Sequence, residues 1–165
     1  MNDFARGDLL VDNDWLAAHL DDPNIRIVDC DVPDAYGRAH IPGAVNFGDH
    51  YYKDPDDRRF IMTPAQFAAA MASLGIGDES IVVGYDNLGA RYAGRLWWCL
   101  SYYGHESMHV LDGGWSRWLQ EGRPLTEEVP PLRAAGPAAC ATARSRRDSC
   151  SDCTHPNPVF PPPPT

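Results

Sequence analysis

The chain has 165 residues, 44% of them hydrophobic and 22% charged, which is enough for one well-buried domain and too few for two of ordinary size. Its formal net charge of −9 and its single lysine, Lys53, argue against a nucleic-acid surface. No apolar run is long enough to span a bilayer, and residues 1–10 carry Asp3, Arg6 and Asp8 where a signal peptide would be apolar; no membrane partner and a cytoplasmic location are the expectation.

Residues 1–9 read as an N-terminal extension. Asp12 caps a first helix on which Trp15, Leu16, His19 and Leu20 recur at three-to-four spacing, and Pro23-Asn24 ends it. Ile25-Arg26-Ile27-Val28 is a strand, followed by a polar loop containing Pro33, Gly37, Pro42 and Gly43, then a short strand at residues 45–47. The acidic and aromatic stretch 48–60 reads as an irregular surface loop.

Thr63-Pro64-Ala65-Gln66 combines a capping threonine, a proline at the first helical position and a glutamine at the third, a strong helix start. Phe67, Met71 and Leu74 form the buried stripe of that helix, and Gly75 stops it. A strand at 81–85 leads through the loop Asp86-Asn87-Leu88-Gly89-Ala90 into a helix at 91–103, with Leu96, Trp97 and Leu100 inward. A last strand at 108–111 enters Asp112-Gly113-Gly114 and a helix at 115–121. Strands alternating with helices define an α/β domain over residues 10–129, a mainly parallel, twisted sheet with helices on both faces. From residue 130 to 165 the text turns Ala-, Arg- and Pro-rich without either periodicity and is expected to be disordered. The charge changes there as well, from −11 up to Leu132 to +2 beyond it.

In open parallel sheets ligands bind at the carboxyl ends of the strands, where Asp29, Asp86 and Asp112 all fall. The loop 86–90 precedes a helix, so its amides and the helix dipole favour an anion. Arg91 and Arg95 follow in the first turns and add positive potential, or else are simply solvated.

His40-Ile41-Pro42-Gly43-Ala44, Arg95-Leu96-Trp97-Trp98, Tyr103-Gly104-His105 and Leu111-Asp112-Gly113-Gly114-Trp115 resemble the rhodanese sulfurtransferases over about residues 10–125. The likeness is closest to the first, usually non-catalytic domain of tandem thiosulfate and 3-mercaptopyruvate sulfurtransferases, whose second domain carries the cysteine. It implies a rhodanese-like fold, no cofactor, no metal, and a cysteine-bearing rhodanese domain as partner, through which alone a small sulfur donor would be used. The family's active loop has the form Cys-x-x-Gly after the strand. Aligned on Tyr85 and Gly89, Asp86 occupies the cysteine position, so Asp86, Asn87, Leu88, Gly89 and Ala90 form an anion loop without a nucleophile. His40, Asp29, Arg91, Arg95 and Asp112 are the implied edge of the site, His40 being equally readable as a histidine hydrogen-bonded to hold the Pro42-Gly43 turn. On this likeness the chain is the inactive half of a tandem enzyme, its tail natural, truncated or frame-shifted; the alternative is a rhodanese module for protein binding or regulation.

Other readings carry less. Cys30 lies among Asp29, Asp31 and Asp34, which oppose a thiolate, and Cys99 lies mid-helix. Asp29-Cys30-Asp31 is similar to the Asp-x-Asp motif of haloacid-dehalogenase-type phosphatases, but Lys53 stands in a polar loop and no downstream acidic pair ends a strand. In the tail, Cys140 and Arg146 have a phosphatase-like spacing without the strand or glycines, and Cys140, Cys150, Cys153 and His155 are irregularly spaced for zinc.

Overall fold

A computed structural model of the protein describes residues 7–131. Five strands, β1 (Leu10–Val11), β2 (Ile25–Asp29), β3 (Val45–Asn46), β4 (Ile81–Tyr85) and β5 (Met108–Leu111), form one sheet in the order β1-β5-β4-β2-β3. Every pairing is parallel, with Ile25 opposite Ile81 and Asp29 opposite Tyr85 in the longest register. The five helices are α1 (Asn13–Ala18), α2 (Pro33–Tyr36), α3 (Pro64–Ser73), α4 (Arg91–Tyr102) and α5 (Gly114–Gln120).

The period-2 alternation of the strands sorts their side chains into two cores, one on each face. Val28, Val82, Met108 and Val110 point to α3 and α4, where Phe67, Met71, Leu96 and Leu100 close over them. Ile25, Ile27, Val83, Tyr85 and Leu111 point to the other side, against Leu16 of α1, Tyr36 of α2 and Trp118 of α5. Cys30 and Cys99 are both buried free thiols packed within the first core.

The helix signals act as read. Asp12 Oδ1 accepts from the Trp15 N–H at 2.7 Å, and Thr63 with Gln66 forms a complete capping box ahead of Pro64. Gly75 takes the left-handed φ of 71° that ends the α3 segment.

Three expectations are corrected. The polar loop after β2 contains α2, started by Pro33 at its first position; a four-residue helix is too short to show a period. β1, at the start of the expected domain, is named by no expectation, since two residues carry no alternation; it is held by pairing Leu10 with Val110 and Val11 with Leu111. The stretch 48–60 is irregular but not wholly superficial: Tyr52 is 1% exposed, with its ring centroid 5.6 Å from Phe47 and 5.8 Å from Phe67. On α4, Leu96 and Leu100 are buried while Trp97 is only half-buried. Among the described residues no helix is long and apolar enough to cross a membrane. Residues 132–165, with Cys140, Arg146, Cys150, Cys153 and His155, lie outside the described residues, as do residues 1–6.

Candidate functional site

The carboxyl ends of β2 and β4 lie side by side, so the segments that leave them form a common surface. Asp86, the first residue after β4, is 2% exposed and turns its side chain back under the loop that follows. One carboxylate oxygen accepts from the Leu88 and Ala90 N–H groups at 2.8 and 2.9 Å, the other from Tyr92 and Ala93 at 2.6 and 2.9 Å. Four main-chain donors thus converge on one anion at the start of α4, the donors that a helix N-terminus otherwise leaves unpaired. Gly89 and Ala90 adopt left-handed φ values of 68° and 66°, which turn these amides inward.

The Asp86 main chain is held too. Its carbonyl accepts from the Trp115 N–H at 3.0 Å, linking the loop to the start of α5. A Cβ on Gly114 would stand 2.4 Å from that carbonyl oxygen, and Gly114 has a φ of 52°, so a side chain at this position would force α5 away from the loop. The Trp115 ring lies nearly parallel to Tyr85 at 6.1 Å.

Beside the loop, the end of β2 supplies two more carboxyls. Asp29 accepts from the Tyr85 hydroxyl at 2.7 Å and from the Asp31 N–H at 2.8 Å. Burial nevertheless raises its pKa, with Asp86 adding to the rise. Asp31 accepts from the Asn87 N–H at 2.9 Å and so ties β2 to the anion loop; burial first, then the charge of Asp29, pushes it up to about 6. Cys30 is 2% exposed, and burial together with Asp29, Asp86 and Asp31 raises its thiol well above the ordinary range. It has no character of a nucleophile.

These groups border a cavity of about 480 Å³ at the sheet edge. Asp29, Asp31 and Asn87 give it polar atoms, Tyr92 and Trp115 give it aromatic surface, and Val32, Leu88, Leu119 and Leu125 give it apolar surface. Arg38, at the end of the α2 segment, also lines it, and its guanidinium makes no hydrogen bond or ion pair with any described residue.

Of the residues expected at the site, Asp29, Asn87 and Leu88 line this cavity, and Asp86 anchors the loop beside it. Gly89 and Ala90 shape that loop, the Ala90 N–H donating to Asp86. His40, Asp112, Arg91 and Arg95 are placed elsewhere. His40 is fully buried, its ring nitrogens 2.9 Å from the Tyr36 carbonyl and 3.1 Å from the Glu128 carbonyl, and it holds the turn before β3. Asp112 pairs with Arg117 at 3.0 Å on the surface of α5. Arg91 stacks over Tyr92 and Arg95 over Trp98. Asp31, Arg38, Tyr92 and Trp115 join the site without having been expected there. The spacing Asp29-x-Asp31 across a strand end was the available signal for the first; nothing local marks the other three. Among the described residues no group of three or more His, Cys, Asp or Glu side chains is arranged to hold a metal ion.

Two consequences are testable. Asp86→Ala strips the acceptor from four buried or half-buried N–H groups, and urea denaturation is expected to show a loss of about 3–5 kcal/mol; a loss under about 1 kcal/mol would contradict the clamp. For Asp31, a folded pKa near 6 against the ordinary 3.8 means that the folded chain holds its proton to higher pH than the unfolded chain. Its favourable contribution is therefore complete below about pH 4 and disappears as pH rises through 6. Asp31→Asn keeps an acceptor for Asn87 and is expected to be more stable than the parent at about pH 7.5 by roughly 1 kcal/mol, with the gap closing near pH 4. A gap independent of pH would refute the assignment.

The match to known proteins is extensive. A model of the rhodanese-like domain matches residues 12–121. The sulfur carrier protein TtuD of Thermus thermophilus is 36% identical over 150 residues, covering 88% of this chain and 52% of that protein. The thiosulfate sulfurtransferase of Bos taurus is 35% identical over 135 residues, covering 72% and 46%. Among solved structures, the 3-mercaptopyruvate sulfotransferase SseA of Escherichia coli superposes with a TM-score of 0.68 at 33% identity, over 76% of this chain and 53% of that one. The chain spans about half the length of the curated relatives it matches. Parallel sheet, anion loop and sequence likeness agree: this chain belongs to the rhodanese family.

Proposed function

We propose that the chain is the non-catalytic module of a two-domain sulfurtransferase, corresponding to the N-terminal half, with Asp86 in the position of the family's loop cysteine. The observation that carries this reading is the clamp on Asp86. Its carboxylate occupies the amide cradle with four N–H donors and is 2% exposed, so a fixed anion takes the place of a transferable one. Sulfane sulfur moves by attack of a thiolate, formation of an S–S bond and its cleavage by an acceptor. A carboxylate forms no such bond.

The remaining thiols among the described residues do not substitute. Cys30 and Cys99 are buried, and burial raises Cys99 to about 11. The full two-domain protein would take sulfur from thiosulfate or 3-mercaptopyruvate and pass it to a thiol or cyanide through a cysteine on the other domain. The apolar rim of the cavity favours a second reading, a rhodanese module whose sheet edge binds a protein without chemistry.

The chain incubated with thiosulfate and cyanide, or with 3-mercaptopyruvate and a thiol reductant, is expected to release no thiocyanate or sulfide above background, and with donor alone to gain no sulfur atom by intact mass. A robust signal abolished by Cys30→Ser would overturn the proposal. Asp86→Cys supplies the positive counterpart: its thiol, clamped by the same amides, is expected to alkylate with iodoacetamide several-fold faster at about pH 6.5 than a free cysteine and to gain one sulfur atom from thiosulfate. An unreactive thiol in a folded Asp86→Cys variant would show that the loop is not a thiolate cradle.

A further inference from the structure

The cavity at the sheet edge has a character that suits neither thiosulfate nor 3-mercaptopyruvate. Both are anions, and its polar floor holds the carboxyl groups of Asp29 and Asp31, the second 9% exposed and bonded to the Asn87 N–H through one oxygen only. Two of its walls are the aromatic rings of Tyr92 and Trp115. Its rim is apolar: Val32, Leu88, Leu119 and Leu125 line it, and they are four of the ten large hydrophobic side chains exposed among the described residues. A ring of exposed apolar side chains around a recessed charge is how protein interfaces seat an anchoring side chain and exclude water from it.

We propose that this cavity receives an arginine side chain presented by a protein partner, which, on the reading above, is the cysteine-bearing rhodanese domain. Arginine fits each surface the cavity offers. Its planar guanidinium stacks on aromatic faces and gives a carboxylate a matched pair of N–H donors, while its three methylenes lie against the apolar rim. Lysine has the charge and the stem but not the plane. The body of the chain up to Leu132 carries −11, so the long-range field also favours a basic partner surface. Arg38 lines the same cavity and is paired with no described residue, so an acidic residue beside the incoming arginine would complement it.

The cavity is tested first without any partner. The full chain is titrated with N-acetylarginine amide and, separately, with N-acetylcitrulline amide, its uncharged analogue, following the Trp115 indole and Asn87 amide signals by NMR. Arginine amide is expected to shift both signals saturably in the millimolar range and to bind at least about fivefold more tightly than citrulline amide, and Asp31→Asn to abolish that preference. Absence of a saturable shift, or equal binding of the two amides, overturns the proposal. A separately expressed cysteine-bearing rhodanese domain is then titrated against the parent chain, Asp31→Asn and Leu88→Ser, the last at an exposed position where folding is not at stake. Both variants are expected to weaken binding at least about tenfold. If the domain binds and neither variant matters, the cavity assignment falls and the two-domain reading stands. If arginine amide binds and the domain does not, the arginine receptor stands and the two-domain reading falls.

Discussion

The architecture of the site depends on one buried charge. Asp86 takes its side chain into the protein with no lysine or arginine among the described residues paired to it, and four main-chain N–H groups close on its two oxygens. Those same groups would otherwise be unpaired donors at the start of a helix. Anion and loop therefore satisfy each other: without the carboxylate the amides lack an acceptor, and without the left-handed turn at Gly89 and Ala90 the carboxylate lacks solvation. The Asp86 carbonyl extends the arrangement to α5, and Asp31 extends it to β2 through the Asn87 amide. Three separate segments meet around Asp86.

Much of this was legible in the amino-acid sequence because it is written locally. The apolar runs at 25–28, 81–85 and 108–111, the capping box at Thr63 and the punctuation at Gly75 each depend on neighbours within a few residues. The anion loop was legible for the same reason, since a strand, a short turn and a helix in succession dictate where the amides point. What escaped was non-local or very short. β1 exists only through its pairing with β5, and Tyr52 is buried by Phe67, well beyond it along the chain. The cavity brings together β2, α2, the anion loop, α4, α5 and Leu125, so no window of sequence contains it. His40 was readable either as a site-edge residue or as the hydrogen-bonded holder of its turn, and the contacts of its ring nitrogens with the Tyr36 and Glu128 carbonyls, the second of them 88 residues away, could not be read locally.

The electrostatics divide the sheet edge into two regions of different purpose. Under the loop, an anion is welcomed by oriented dipoles. In the cavity next to it, Asp29 and Asp31 share a poorly solvated space in which burial and mutual repulsion work against charging both. The first region is filled from within by Asp86, and the second is acidic through Asp29 and Asp31.

The pinned segment after α5 has a mechanical consequence. Leu125 borders the cavity, while Pro130 and Pro131 reach the opposite end of the sheet beside Ile25 and Arg26. Between them, Thr126 exchanges two main-chain hydrogen bonds with His40, and Glu128 accepts from the His40 ring. A pull applied beyond Pro131 is therefore borne by the His40 turn, in shear along several bonds, before it reaches α5 or the anion loop. The strap works as a strain relief, separating the geometry around Asp86 from displacements of Pro130 and Pro131.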